Sequence, residues 1–244
     1  GGLTSGRAGV SKLINLEATV GDRRANEILE EADQAYTHLQ DFIKFENIAC
    51  DFHHCGRFMG AHSRRAYDKI AFKMIEYNKG KHQDFEMVTQ AEQSKIVNSD
   101  YYKGGMFNHN AGTIHPAKYH GELVRLSIEA GVKLISNTLV KKITSTKSGK
   151  EVFTSNGSIK AESVMIGTGG YTDKLSPYHR KRIIPMSSTL IATEKIGRDR
   201  VNEILPLGCP VIDTKRIISY ARRSPDGERI LFGGRARFTP ISAR

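Results

Sequence analysis

The order of elements between residues 113 and 171 constrains the fold more than any other part of this 244-residue chain. An amphipathic helix beginning at Pro116 brings Tyr119 and Leu123 onto one face, and Gly131 follows at the position of a helix C-cap. Short apolar segments then predict β-strands at 132–135, 139–143, 151–154 and 163–166. Asn156-Gly157 predicts a hairpin turn between the last two of these strands. A glycine-rich turn ends the stretch. This order of helix, strand, hairpin and glycine-rich turn is typical of an α/β fold.

The rest of the chain predicts two further helices and a second region of sheet. Helical periodicity indicates helices over 23–45 and 64–78, and a short strand follows at 85–89. After Tyr171, apolar segments separated by proline and glycine turns predict strands at 183–192, 216–221 and 229–232. We therefore expect a mainly antiparallel sheet in this part of the chain and a second domain.

The charge of the chain leaves open a function in binding anions. The formal net charge is +11, and residues 176–244 hold 14 basic against 6 acidic side chains. Such a region can bind nucleic acid or an anionic surface, so a basic binding module is an alternative function. Aromatic residues do not alternate with the basic ones in a stacking pattern, which weighs against nucleic acid.

Two absences bear on the compartment. No apolar run reaches the ~18 residues that a membrane helix needs, so we expect no membrane span. The chain has three cysteines, which cannot form a closed disulfide framework, and this favours a reducing compartment such as the cytoplasm.

The segment from Cys50 to Cys55 has the composition of a metal site. If it is a strand, Cys50 and His54 face one way while His53 and Cys55 face the other, because side chains alternate. Four ligands then do not converge, and we expect no bound metal. The sequence also contains no Ser-His-Asp arrangement and no G-x-S-x-G nucleophile elbow.

Two glycine-rich turns are candidate ligand-binding elements. The turn 167–171 directly follows a predicted apolar strand, and the loop 5–9 can present backbone N–H groups to an anion. Small residues at such turns allow the backbone to approach a phosphate or a flat ring closely.

Several motifs in the same order resemble the FAD-dependent oxidoreductases of the D-amino-acid-oxidase superfamily, and most closely the branch of the gamma-glutamylputrescine oxidoreductases. The motifs are Ser5-Gly6-Arg7-Ala8-Gly9, Ile114-His115-Pro116-Ala117-Lys118, Gly167–Tyr171, Arg182-Ile183-Ile184-Pro185 with Ala192-Thr193-Glu194, and the hairpin from Tyr220 to Arg235.

The resemblance implies a division of the chain into two interleaved parts. We expect an incomplete Rossmann-like FAD-binding domain, 1–45 and 113–172, and an antiparallel-sheet substrate domain, 46–112 and 173–244. The family's G-x-G-x-x-G and its C-terminal flavin segment are missing from this sequence. We therefore expect an internal fragment of such an enzyme, and a catalytically inactive fragment is a further alternative.

The resemblance also implies a reaction and a set of site residues. A hydride passes from the carbon beside the substrate nitrogen to flavin N5, and the resulting imine is hydrolysed. The substrate is an amine or amino acid, gamma-glutamylputrescine-like, and the electron acceptor is oxygen or another carrier. Tyr220 and Arg222 are expected near the ring, with Arg222 binding a substrate carboxylate and Arg223 as its competitor. The expected FAD contacts are Ser5, Gly6, Arg7, Ala8, Gly9, Val140, Thr168, Gly169 and Gly170.

Overall fold

The computed structural model describes residues 3–5, 16–77, 84–184 and 187–237. The chain divides into two compact units. The larger, here the sheet unit, comprises Gly1–Leu126 and Thr189–Arg235. The smaller, here the meander unit, comprises Ser127–Ser188 and Ala236–Arg244. The division into FAD-binding and substrate domains stays a prediction.

Six α-helices lie in the described part of the chain, and they include the three predicted from periodicity. Pro116 is the first residue of the third predicted helix, where its missing N–H removes no helical hydrogen bond. That helix ends before Gly131, which has a φ of 85° and donates its N–H to the carbonyl oxygen of Ile128 at 2.9 Å. The helices are α1 Leu16–Val20, α2 Asp22–Phe45, α3 Arg64–Tyr77, α4 Pro116–Glu129, α5 Pro177–Arg180 and α6 Arg198–Ile204.

The sheet unit is built around a seven-stranded sheet with the strand order β3-β4-β2-β10-β11-β12-β9. Its strands are β2 Arg57–Gly60, β3 Phe85–Val88, β4 Gly105–Asn108, β9 Ser187–Ala192, β10 Val211–Asp213, β11 Tyr220–Arg223 and β12 Ile230–Arg237. Strands β2 and β10 run parallel, with Phe58 opposite Val211. The other pairings described for this sheet are antiparallel. A second, two-stranded sheet joins β1 Leu3–Ser5 to β5 Ala111–Thr113.

The main core of the sheet unit lies against the centre of this sheet. Phe58 of β2 is fully buried and packs in one cluster with Phe107, Leu205 and Val211. These residues come from four separate segments of the chain, so the cluster fixes the segments relative to one another. Burial of large apolar side chains is the main favourable contribution to folding, at about 25 cal/mol per Å² of apolar surface.

The meander unit contains a three-stranded antiparallel sheet with the order β6-β7-β8. Its strands are β6 Val140–Thr146, β7 Gly149–Thr154 and β8 Gly157–Ala161. The predicted hairpin turn at Asn156-Gly157 joins β7 to β8, and Gly157 has a φ of 142°. The mixed α/β fold class predicted from the sequence is confirmed.

Two of the predicted strands, 132–135 and 163–166, are wrong, since neither segment forms a strand in the described structure. Leu134 and Ile135 are more than half exposed, and Met165 is 96% exposed. Apolar composition favours a strand only where a neighbouring strand supplies hydrogen bonds, and no described strand pairs with either segment. Strand β8 was not predicted because its residues are mostly small or polar.

The position of Phe58 gives a stability prediction. We expect Phe58→Ala to lower the free energy of unfolding by about 3–5 kcal/mol, because it leaves a cavity at the centre of the core. Phe72→Ala removes the same side chain at a position that is 73% exposed and is expected to change stability by no more than about 0.5 kcal/mol. Urea denaturation followed by circular dichroism measures both, and equal losses would contradict this view of the core.

Candidate active site

The sheet unit contains a cavity of about 740 Å³, within the size range of small-molecule sites. Four segments of the chain form its wall: the residues before β2, the start of α4, the region from α6 to Gly208, and the hairpin after β11. The lining residues are Asp51, His53, Cys55, Thr113, Ile114, His115, Lys118, Arg198, Asn202, Leu207, Gly208, Arg222, Arg223, Ser224, Pro225, Asp226 and Gly227. Basic side chains outnumber acidic ones in this wall, so the cavity favours an anionic ligand.

Arg222 is a half-buried cation of this wall that uses few of its donors within the described structure. It lies on β11, is half-buried, and donates one hydrogen bond from its guanidinium to the carbonyl oxygen of Ile114 at 3.3 Å. Burial lowers the pKa of Arg222, because desolvation disfavours the charged form. Among the described residues, no carboxylate forms a salt bridge with this guanidinium. Arg222 thus lines the cavity without a described counter-ion.

Arg223, the neighbouring arginine, is engaged by the protein itself. Its guanidinium donates to the carbonyl oxygens of Leu205 and Pro206, the latter at 3.0 Å. It also lies over Gly208, where an added Cβ would be 2.8 Å from the Arg223 Cζ atom. Since Gly208 has a φ of 71°, the turn and the arginine fit one another only with glycine at this position. This arrangement indicates a structural role for Arg223.

The part of the wall formed by residues 51–55 and 113–118 is held by main-chain hydrogen bonds and one ion pair. His53 and Thr113 exchange two backbone hydrogen bonds of 2.9 Å, and His115 N–H donates to the carbonyl oxygen of Cys50 at 2.7 Å. Lys118 Nζ lies 2.8 Å from Asp51 Oδ1, and this hydrogen bond lowers the pKa of Asp51. The one carboxylate on this wall is thereby neutralised by a lysine of the same wall.

The Cys50–Cys55 segment is not a regular strand, which corrects the geometry assumed from the sequence. Asp51 has a φ of 48°, and the segment forms only one isolated bridge, at His53. Cys50 is buried beneath α2, whereas His54 Nδ1 lies 2.9 Å from the Tyr36 hydroxyl. His53 and Cys55 line the cavity. In the described part of the chain, no group of three His, Cys, Asp or Glu residues could hold a metal ion. That this segment binds no metal stays a prediction.

Tyr220 shares β11 with Arg222 but is not among the residues that line the cavity. Its ring lies over Gly233, its partner across the β11–β12 pair, and a Cβ at Gly233 would overlap the ring. The glycine at this position therefore fixes where the tyrosine ring can lie. A role of Tyr220 next to the substrate stays a prediction.

The meander unit carries the second glycine-rich turn. Thr168 precedes a 3₁₀ turn, Gly169–Tyr171, which is held by the buried Thr172, whose hydroxyl donates to the Gly169 carbonyl oxygen at 2.7 Å. A Cβ at Gly167, Gly169 or Gly170 would meet nothing within 4 Å. The backbone of this turn is thus held by a side-chain hydrogen bond and is open to close approach, as a flat cofactor would require.

The structure describes only some of the other residues that were predicted to contact the cofactor. Val140 begins β6, which is an edge strand of the three-stranded sheet, so one side of its main chain has no described strand partner. Ser5 pairs with Ala111 in the two-stranded sheet. Gly6, Arg7, Ala8 and Gly9 lie outside the described residues. The roles of all these residues stay predictions.

Comparison with known proteins identifies the class to which this arrangement belongs. Residues 2–243 match the DAO family, whose description is FAD dependent oxidoreductase. The chain therefore belongs to this family, and the predicted family and its cofactor class are confirmed at that level.

Among curated proteins, a probable oxidoreductase OrdL from Haemophilus influenzae is 25% identical over 240 residues, which cover 94% of this chain and 56% of that protein. The gamma-glutamylputrescine oxidoreductase of Escherichia coli is 25% identical over 198 residues, which cover 80% of this chain and 46% of that protein. The chain thus spans about half the length of the curated relatives it matches.

Solved structures show the same fold. Glycine oxidase from Geobacillus kaustophilus matches with a TM-score of 0.70 and 17% identity, covering 88% of this chain and 58% of that one. L-proline dehydrogenase from P. horikoshii matches with a TM-score of 0.67 and 16% identity, covering 86% and 56%. The fold class is thereby confirmed. Across the described residues, no helix is both long enough and apolar enough to span a membrane.

Sequence reasoning missed most of the cavity wall. The sequence gives no site prediction for Asn202 or Gly208, and it places Lys118 only in the motif 114–118. A signal for Gly208 does exist in the segment 207–210, where Gly208 and Pro210 are both turn-forming residues. Together they predict a left-handed turn before a strand. No local pattern marks Asn202, because it enters the cavity through the packing of α6.

The three free cysteines give a reactivity prediction. Burial raises the pKa of Cys55, and it raises the pKa of Cys209 to about 12. Because the thiolate is the reactive form, we expect Cys55 to be alkylated slowly at pH 7, with a rate that levels off at a higher pH than for an unfolded-chain thiol. Cys209 is expected to react only on unfolding. Mass spectrometry after timed iodoacetamide treatment from pH 7 to 10 measures both, and rapid labelling of Cys55 at pH 7 would refute the prediction.

Proposed function

We propose that this protein takes part in the FAD-dependent oxidation of an amine or amino acid whose carboxylate is bound by Arg222. One observation carries the proposal: a half-buried guanidinium without a described carboxylate partner lies in the wall of a substrate-sized cavity. A buried charge without a counter-ion is costly, and an anionic ligand removes that cost.

The choice of a carboxylate as the ligand follows from geometry. An arginine presents a planar fork of donors that matches the two oxygens of a carboxylate. Arg222 uses one nitrogen for the Ile114 carbonyl oxygen, which leaves its other donors for a ligand. Arg223 cannot supply the same contact without giving up its bonds to the 205–206 carbonyl groups.

Belonging to the DAO family supports FAD as the cofactor. When bound, FAD supplies the oxidising ring system that accepts the electrons of the substrate. The open turn Thr168–Gly170 is suited to hold part of this group, and the proposed contacts also include Val140 and the loop 5–9. The contribution of the chain itself is to bind the carboxylate and to orient the amine, because a fixed orientation lowers the barrier of the reaction.

The finer substrate assignment draws on the chemistry of one relative. The Escherichia coli relative is named for gamma-glutamylputrescine, a compound that carries both an amine and a carboxylate. A gamma-glutamylated amine therefore satisfies the two requirements of the proposed site. We propose such a substrate, with oxygen or another carrier as the electron acceptor.

The carboxylate contact is tested by changing Arg222. In FAD-loaded protein, we expect Arg222→Gln to lower kcat/KM for gamma-glutamylputrescine by about 10- to 100-fold, the range for losing a charge-assisted hydrogen bond. Putrescine, which has no carboxylate, should lose less than about twofold in the same variant. Arg23→Gln, which removes a charge from the exposed surface of α2, is the matched control and should change neither value. Equal losses for both substrates would contradict carboxylate binding by Arg222.

The cofactor contact is tested at Gly170. This glycine has open space around its Cα and no left-handed φ, so Gly170→Val adds bulk without backbone strain, unlike a change at Gly169, whose φ is 52°. We expect Gly170→Val to weaken FAD binding at least about tenfold, measured by flavin fluorescence, with unchanged unfolding in urea. Gly121→Val on α4, also in open space, is the control and should leave FAD binding unchanged. Equal FAD affinity in the two variants would remove Gly170 from the cofactor site.

A further inference from the structure

A second concave site lies in the sheet unit, apart from the cavity that contains Arg222. It is a groove of about 530 Å³, and the two sets of lining residues do not overlap. Its floor is apolar and consists of Met59 and Met106, which are paired across β2 and β4, together with Ile70 of α3. Methionine side chains adapt to ligands of irregular shape, because they are unbranched and polarisable.

One wall of the groove is a row of cations. Arg65, Lys69 and Lys73 are spaced four residues apart on α3, so they lie on one face of the helix. None of the three forms a salt bridge with an acidic side chain in the described residues. Arg64, their neighbour in sequence, faces elsewhere and is paired with Asp68 at 3.2 Å. The charge of this wall is therefore available to a ligand.

The facing wall is the loop between β10 and β11, and it is well fixed. Asp213 is almost fully buried, and its Oδ1 accepts the backbone N–H groups of Lys215 at 3.2 Å and Ser219 at 3.1 Å. His62, two residues before α3, is joined to this loop by a hydrogen bond of 2.6 Å between its Nδ1 and Thr214 Oγ1. Among the described residues that line the groove, Asp213 is the only acidic one, and its side chain is 1% exposed, so it offers almost no acidic surface to a ligand.

We infer that this groove binds a small anionic amphiphile, an apolar body with a carboxylate or similar head group. The apolar floor accommodates the body, and the cations of α3 bind the head group. Lys215 contributes less, because its Nζ lies 4.0 Å from Asp213 Oδ2 and 4.6 Å from the centre of the Tyr101 ring. The volume corresponds to a drug-sized molecule, and the site is concave, whereas a flat row of charges would suit a duplex or a membrane. This inference is independent of the proposed oxidation, because it uses no residue of the Arg222 cavity.

Decanoate is the probe, used below its micellar concentration, and methyl-¹³C methionine labelling is the readout. The chain has six methionines, and Met59 and Met106 report on the groove. Met165, in the meander unit and 96% exposed, reports unspecific binding to apolar surface. We expect saturable shifts of Met59 and Met106 with decanoate, no shift of Met165, and much weaker effects of 1-decanol, which has no charge.

Two double variants with the same change in net charge complete the test. Lys69→Gln with Lys73→Gln should weaken decanoate binding about three- to tenfold, as expected for two partly exposed charges. Arg64→Gln with Lys95→Gln should leave it unchanged, since neither residue lines the groove. Parallel shifts of Met165, equal binding of 1-decanol, or equal losses in the two variants would overturn the inference. So would shifts of Met59 and Met106 by phosphatidylglycerol vesicles or duplex DNA in the absence of any decanoate effect.

Discussion

The parallel pairing of β2 with β10 is the constraint on which the described sites depend. It joins residues that are more than 150 positions apart in the chain, with Phe58 opposite Val211 and Gly60 opposite Asp213. Because the strands run in the same direction, their preceding segments meet at one edge and their following segments meet at the other. The first edge supplies Cys55 and Gly208 to the Arg222 cavity. The second edge supplies His62 and Thr214 to the groove that contains Met59 and Met106. A single pairing thus positions both sites, and the buried side chain of Phe58 stabilises it.

The helices could be predicted because their signal is local. The periodicity of α2 and α4 and the position of Pro116 and Gly131 are properties of a few consecutive residues, and the structure follows them closely. The strands were less predictable, since a strand depends on its neighbour. Segment 132–135 is apolar enough for a strand but has no described partner, whereas polar β8 forms because β7 lies beside it. Tertiary context therefore overrides composition in the meander unit.

The candidate site shows the same limit at the level of single side chains. Arg222 and Arg223 are adjacent in sequence and equivalent in chemistry, so sequence alone cannot separate them. They are separated by the carbonyl groups of Leu205 and Pro206, which occupy Arg223, and by the carbonyl group of Ile114, which orients Arg222. The family motifs identified the strand that carries both residues, but the assignment of roles needs the packing of segments that are distant in the chain. The glycine-rich turn at 168–170 was recognisable because its property is the lack of side chains.

The burial of the cysteines has a consequence for chemical durability. If the proposed oxidation passes its electrons to oxygen, hydrogen peroxide forms, and peroxide attacks the thiolate form of cysteine. Cys209 is fully buried with a pKa of about 12, Cys50 is buried with a raised pKa, and burial also raises the pKa of Cys55 in the cavity wall. All three sulfur atoms are therefore held in the protonated form, which resists oxidation to sulfenic acid. Under the proposed function, the packing that shapes the cavity would in this way protect these cysteines from peroxide.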